Sequence, residues 1–503
     1  MGFMEMIHKV IDDRKIQTEN GATGYATTGK ALVDLNFAVA SLRNADENEI
    51  VKRFIQAFHE DRVLAMKWLF FLRDVRGGLG ERRSFRVILR YLAATYPNMV
   101  AELVEVMSEY GRYDDLLCLM DTPVEQAVLA HIRKTLEEDM EGMFHNVPVS
   151  LCAKWMPSNN TSSAKSRVIA KKIQLYMGLT AKEYRTMLAS LRAYIGVLEP
   201  LMSENRWDEI NYAEVPSKAN VLYRNAFLAH DKERRETFLN DVKENKETIH
   251  AGVLMPHDIV SRYTVRNGWS MMAGEEDAAL EALWSNLSDM VNGAENVLCV
   301  VDGSGSMLCT VGNTDLTALH VSNALGIYFA ERLKGAYKDK FITFSSRPEY
   351  VDLSSCRNLR EKLSLALSHN DCSNTNIEAT FDLILQTAVQ NRLRQSELPQ
   401  TVLIISDMEF DMATYRVDNE TLFQTIERKF AQYGYKLPKL VFWNVNSRTN
   451  VVPVKENKLG VGLVSGFSTN ICNMVLSGEL DPYKALYKVL SSERYRVLEK
   501  YVS

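Results

Sequence analysis

The chain has no CxxC pair and no grouping of cysteine with histidine, although it carries seven cysteines in 503 residues. Cys118, Cys152, Cys299, Cys309, Cys356, Cys372 and Cys472 stand singly, which argues against structural zinc and for the reduced thiols of a cytosolic protein. Long apolar runs are missing too. None approaches the ~20 residues that span a bilayer. The opening MGFMEMIHKVIDDRK has no signal-peptide core, and its Met-Gly start lacks the hydroxyl residue at position six that N-myristoylation wants. These absences predict a cytoplasmic protein with no membrane partner. Charge of one sign is scarce as well: a net −5 gives no overall pull toward nucleic acid or anionic lipid, so any basic patch is local. With 46% hydrophobic and 24% charged residues, the composition is that of a soluble globular protein.

What is present changes character along the chain. From about 28 to 260, apolar residues recur at helical spacing, as in Ile50, Val51, Phe54, Ile55 and Phe58. Helices are predicted from Val63 to Leu72, from Ser84 to Ala94, and over 97–110, 123–144, 164–177, 181–195, 218–228 and 231–248. No strand pattern stands out there, and consecutive helices with brief turns predict a helical-repeat stack. From about 296, strand-like runs at Val297–Val301, Phe341–Phe344, Thr401–Ser406, Leu440–Val445 and Val461–Ser465 alternate with helical stretches at 315–334, 357–367, 376–392 and 419–433. That order predicts a mostly parallel sheet covered on both faces, with ligands at the carboxyl ends of its strands. The acidic stretch 264–295 connects the halves through a helix around 274–291. The division is an N-terminal arm over 1–27, an all-α helical-repeat domain over 28–290 and an α/β domain over 291–503.

The first predicted strand runs into Asp302-Gly303-Ser304-Gly305-Ser306-Met307. An aspartyl-phosphate phosphatase would want a second Asp at 304, a Walker A loop a lysine, and a nucleophile elbow a G-x-S-x-G spacing; none is met. One carboxylate and two hydroxyls at alternate positions, with glycines between, suit a hard cation such as Mg²⁺. So few charges leave the ion electron-poor and able to capture an outside carboxylate. The plainer alternative is that Asp302 and the serines cap a following helix.

Asp302-x-Ser304-x-Ser306 after an apolar strand resembles the metal-ion-dependent adhesion site of von Willebrand factor A domains, which add a Thr from a second loop and an Asp after a later strand. Ser373-Asn374-Thr375-Asn376-Ile377 offers Thr375, and Thr401–Ser406 is followed at once by Asp407. The resemblance spans roughly 296–490. It implies that Asp302, Ser304, Ser306 and Thr375 surround Mg²⁺ or another divalent cation, with Asp407 acting mainly through water.

The first half carries a second resemblance. Phe71-Leu72-Arg73-Asp74 with Gly77-Gly78-Leu79-Gly80-Glu81-Arg82, Tyr110-Gly111-Arg112-Tyr113-Asp114-Asp115-Leu116, Ala153-Lys154-Trp155-Met156-Pro157-Ser158 and Val215-Pro216-Ser217 resemble a family of uncharacterised bacterial, phage and eukaryotic proteins. Their architecture is similar to that of the Ro ribonucleoproteins, in which a TROVE module of HEAT-like helices closes into a ring and binds small structured RNAs and RNA ends. The fold class implied is an N-terminal all-α, HEAT-like and ring-forming repeat domain plus a C-terminal α/β von Willebrand factor A, Rossmann-like domain.

Local charge gives RNA some support. Residues 51–100 hold ten Lys/Arg against four Asp/Glu, and 151–200 hold eight against two. Lys154, Trp155, Lys165, Arg167, Lys171 and Lys172 mix cations with an aromatic beside a hydroxyl-rich loop, a combination suited to phosphate contact and base stacking, or simply to a solvated helix face over a core tryptophan. The Arg76–Arg83 loop reads as a phosphate cradle or as a tight helix–helix turn. His257 reads as a ligand or base, or as a hydrogen-bonded structural histidine. The expected function is a monomeric, Ro-like RNA-binding scaffold whose A domain presents a Mg²⁺-dependent partner site. The alternatives are a metal-dependent protein adaptor without RNA and, more remotely, a divalent-dependent nuclease or phosphatase; an enzyme is not expected.

Overall fold

The computed structural model describes residues 15–267, 270–312, 314–412, 421–449, 451–453, 461–472, 476 and 481–502. Two compact units form. One gathers the described residues up to 65 with 216–222 and 241–492, the other 66–215, 223–240 and those from 493 on.

In the first unit, two antiparallel hairpins, β1 (Lys15–Gln17) with β2 (Thr23–Tyr25) and β3 (Thr264–Asn267) with β4 (Ser270–Ala273), precede the main sheet in the chain. That sheet has six strands: β5 (Val297–Asp302), β6 (Lys340–Phe344), β7 (Glu349–Asp352), β8 (Thr401–Ser406), β9 (Lys439–Asn444) and β10 (Val461–Ser465). Their order is β10-β9-β8-β5-β6-β7, and every pairing is parallel except that of β7 on β6. The five strand-like runs of the sequence are five of these six strands. β7 escaped because only Val351 of its four side chains is buried, too little alternation to register as a strand.

Both faces are covered. On one lies the helix Ala318–Arg332, buried at every position from Ala318 to Ala330 and mostly apolar on all sides, with His320, Ser322 and Asn323 as its buried polar residues. Gly326 lets it approach: a Cβ there would meet Val301 Cγ2 at 2.6 Å. The other face packs on Phe381, Ile384 and Leu385 of the helix Ile377–Gln390 and on Leu422, Phe423 and Ile426 of Leu422–Gln432. Val33 and Phe37, from the helix Ala31–Phe37, join this same core, and Asn444 Nδ2 donates to the Phe37 carbonyl at 2.8 Å. Packing therefore cuts the chain differently from a sequential division at 27 and 290. The first helices carry apolar faces that the sheet core completes, and periodicity alone does not say which core a helix joins.

The second unit is helical. Helices Arg62–Arg73, Arg83–Thr95, Glu125–Phe144, Ala164–Tyr176 and Ala181–Tyr194 lie within a few residues of their predicted bounds. The C-terminal residues fasten here. Tyr495 Oη donates to Asp74 Oδ2 at 2.8 Å and Arg494 Nη2 to Asp74 Oδ1 at 2.8 Å, while Tyr495 and Tyr110 stack with centroids 5.9 Å apart. The Arg76–Arg83 loop is a tight turn: the amides of Leu79, Gly80 and Glu81 donate to the carbonyls of Phe71, Asp74 and Leu72, so they are not turned out as a phosphate cradle. No helix among the described residues is long and apolar enough to cross a membrane.

His320 gives the first unit a pH dependence. Its Nδ1 accepts from the Thr317 amide at 2.9 Å and its Nε2 faces Thr264 Oγ1 at 2.6 Å, an arrangement of a neutral ring. Burial, with Arg266 nearby, pushes its pKa down to about 4. The unfolded chain takes up this proton near 6.5 and the folded one only near 4, so stability is intact above the higher value and lost as pH falls between them. The expected loss is on the order of 3 kcal/mol at pH 4, read from urea midpoints across that range. His320→Asn should flatten the profile, and an unchanged slope would sink the assignment.

Candidate metal centre at the carboxyl ends of β5 and β8

β5 and β8 are central neighbours, in parallel register from Val297↔Thr401 to Val301↔Ile405. Their carboxyl ends therefore place Asp302 and Asp407 side by side. Both are fully buried, as are Ser304 and Thr375, while Ser306 is partly exposed. Asp302 is held on both oxygens: Oδ1 accepts from the Ser304 amide at 2.9 Å and Oδ2 from Ser406 Oγ at 2.5 Å. The hydroxyls of Ser304 and Ser306 lie 3.0 Å apart.

The second loop is locked against the first. Gly305 donates its amide to the Ser373 carbonyl at 2.9 Å, and the Cys372 amide donates to the Gly303 carbonyl at 3.1 Å. A Cβ on Gly305 would meet the Cys372 carbonyl at 2.7 Å, so glycine is required for this approach. Thr375 then sits at the foot of the helix Ile377–Gln390, with its carbonyl accepting from the Asp411 amide at 2.9 Å. All five residues read from the sequence thus lie on three loops at one end of the sheet.

The electrostatics of these oxygens are unfavourable without a cation. Burial pushes both carboxyls up, and the charge of Asp302 adds to the rise at Asp407. Asp407 Oδ2 is buried with no hydrogen-bond donor among the described residues, and Arg448 Nη2 stands off at 3.8 Å. An orphaned carboxylate oxygen beside a second buried carboxylate and three hydroxyls fits a hard divalent cation. No group of three or more His, Cys, Asp or Glu among the described residues forms a metal cluster, so the set depends on its hydroxyls.

Sequence reading missed a further layer. Asn20, between β1 and β2, donates its amide to Thr375 Oγ1 at 3.3 Å and to the Glu409 carbonyl at 2.7 Å. Thr18 Oγ1 donates to the Phe410 carbonyl at 2.6 Å. Buried Glu409 is held by the amides of Glu19, Arg448 and Thr449, at 3.0, 2.7 and 2.9 Å. Arg448 Nη2 in turn pairs with Glu19 at 2.7 Å. The segment read as an arm is therefore a strap along the rim of the site. Some 350 to 390 residues separate its contacts, and no local pattern could have announced them.

On the helical unit, Lys165, Arg167 and Lys171 are exposed on the helix Ala164–Tyr176. Arg167 Nη1 donates to the carbonyls of Thr161 and Ser162, and Lys172 is held by Asp121 and Glu125 at 2.5 and 2.7 Å. Lys154 and Trp155 lie on a separate short helix, Cys152–Trp155. His257 packs largely covered against Phe467, centroids 5.2 Å apart, and loss of solvent lowers its pKa to about 4.

Residues 18–131 and 126–294 match the model described as domain of unknown function DUF2828, which accounts for more than half of the chain. The chain belongs to the DUF2828 family. Residues 296–496 of this DUF2828 protein match a second domain of unknown function, DUF7788. It is also similar to "Uncharacterized protein L728" of Acanthamoeba polyphaga mimivirus, 31% identical over 519 residues, covering 94% of this chain and 86% of the relative. Among solved structures it is similar to the Deinococcus radiodurans RO (RSR) protein, with 14% identity and a TM-score of 0.44, covering 84% of this chain and 93% of the other.

Proposed function

We propose that this DUF2828 protein is an RNA-binding scaffold whose α/β unit carries a Mg²⁺-dependent site for a carboxylate of a partner. The observation that carries the metal reading is the orphaned Asp407 Oδ2 beside Asp302, with the hydroxyls of Ser304, Ser306 and Thr375 around them. Asp302, Ser304, Ser306 and Thr375 would hold the ion and Asp407 would reach it through water. When bound, the ion supplies an electrophilic point for an anionic ligand. The chain's own part is to fix the oxygens: Ser406 and the Ser304 amide orient Asp302, and Asn20 orients Thr375. Asn20→Ala is therefore expected to weaken Mg²⁺ affinity about tenfold, the scale of outer-layer support at metal sites. Isothermal titration checks it, and unchanged affinity would remove Asn20 from the site.

The RNA reading is supported by the exposed cations Lys165, Arg167 and Lys171 on one helix. Its test is binding of a single-stranded RNA across a salt series. Affinity should fall steeply with salt, and Lys165→Glu with Lys171→Glu should lower the log–log slope by about 0.7 per lost phosphate contact. Wild-type protein that shows no salt-sensitive binding would overturn the reading.

A further inference from the structure

Three of the motifs singled out in the first half are far apart in sequence and meet at one place. Arg73 comes from Phe71-Leu72-Arg73-Asp74, Arg82 from the following glycine-rich turn, Arg112 from Tyr110–Leu116, and Trp155 from Ala153–Ser158. At the centre is Asp115, fully buried. Its Oδ2 accepts from Arg73 Nε at 2.7 Å and from the Arg112 amide at 2.9 Å, and its Oδ1 from Arg86 Nε at 2.7 Å. Arg86 Nη2 also pairs with Asp114 at 2.8 Å. Both carboxylates are thus engaged by Arg73 and Arg86.

Arg112 is left over. Its guanidinium lies 4.7 Å from the centroid of the Trp155 ring and has no acceptor among the described residues. Burial, and then the charges of Arg73 and Arg82, push its pKa down against the opposing pull of Asp114 and Asp115. Arg82 is exposed and has no ion-pair partner among the described residues. Lys154 Nζ lies 6.0 Å from the same ring. Cations gathered beyond what the local carboxylates neutralise are stabilised by an external anion.

The platform under Arg112 is rigid. Arg192 donates from Nε to the Ala153 carbonyl at 3.0 Å, from Nη1 to Ser158 Oγ at 3.0 Å and from Nη2 to the Met156 carbonyl at 2.6 Å. Tyr184 Oη donates to the Pro157 carbonyl at 3.1 Å. Across the site, a Cβ on Gly111 would lie 3.1 Å from Arg73 Nε, so glycine leaves the buried pair undisturbed. Trp155 serves here as a seat for the half-buried Arg112 guanidinium, which the ring holds in one orientation.

We infer that Arg112, seated on Trp155 and flanked by Arg82 and Lys154, forms an oxyanion site that takes the phosphate groups of RNA. The identity of the phosphate carrier rests on the RNA reading above; the oxyanion site itself does not. A planar, fixed guanidinium favours bidentate contact with two phosphate oxygens.

The test uses the full-length chain. Binding of a short single-stranded RNA and of inorganic pyrophosphate is measured for wild type, Arg112→Gln, Arg112→Lys and Arg82→Gln, with unfolding midpoints as a fold control. Arg112→Gln should weaken both ligands about tenfold, the scale of one charge-assisted hydrogen bond. Arg112→Lys should not restore binding, because an ammonium has no fork to present. Should Arg112→Gln fail to fold, Arg82→Gln, at an exposed position, carries the same comparison with a loss of about threefold. RNA bound equally by wild type and these folded variants overturns the site and leaves the RNA reading standing. Pyrophosphate bound through Arg112, with no RNA bound by wild type, supports the site and overturns the RNA reading. Neither ligand bound by wild type overturns both.

Discussion

Mg²⁺ supplied at about a hundred times its dissociation constant is expected to raise the unfolding free energy by about 2.7 kcal/mol, and Asp302→Ala to erase that increment. The oxygen set is costly without a cation. Asp302 and Asp407 are both fully buried, burial disfavours each charge, and the charge of Asp302 further disfavours that of Asp407. A divalent cation reverses both effects at once. Asp302 is the residue to remove because its oxygens are oriented by Ser406 and the Ser304 amide, so it would set the position of an ion. Asp407→Asn separates the two roles. It removes one of two repelling charges, so it should stabilise the metal-free protein by on the order of 1 kcal/mol while weakening its response to Mg²⁺. Calorimetry with and without chelator reads both. Equal Mg²⁺ stabilisation of wild type and Asp302→Ala would place any bound ion elsewhere.

Asp115→Ala is expected to be the most destabilising single change in the helical unit, costing about 3–5 kcal/mol. Asp115 is fully buried and serves three donors: Arg73 Nε, Arg86 Nε and the Arg112 amide. Removing it leaves the Arg73 side chain, 2% exposed, charged and without its acceptor, beside Arg86 and Arg112. Arg73→Met should cost less, since Asp115 would keep Arg86 and the backbone amide while methionine fills the same space. Urea unfolding orders the two. A loss below about 1 kcal/mol for Asp115→Ala would mean that water or another group replaces the carboxylate.

Much of the candidate metal site was legible because its parts are local. Apolar runs at Val297–Val301 and Thr401–Ser406 announce strands, a parallel sheet places ligands where such strands end, and the residues that follow are Asp302, Ser304, Ser306 and Asp407. Thr375 was reachable only through the order of motifs. Asn20, Glu409 and Arg448 were out of reach, because each acts through partners whose closeness depends on the completed sheet. The cations of the helical half show the same limit from the other side. Lys172, alike with Lys171 in the sequence, is taken up by Asp121 and Glu125, whereas Arg112, a single letter in a longer motif, has no acceptor among the described residues.

By itself the sequence determined the long helices and five of the six strands of the main sheet, and it set Asp302 and Asp407 at strand ends; it did not announce the hairpin strands β1–β4 or the edge strand β7. Helical and strand periodicities are written in neighbouring residues, and a carboxylate with alternating hydroxyls at a strand end suits a hard cation. Only the tertiary structure decided which core each helix joins, that residues 15–25 strap the rim of the candidate metal site, and which arginines lack an acceptor among the described residues. Those outcomes follow from burial and from competition for partners. Such contacts form between residues tens to hundreds of positions apart, and no periodicity records them.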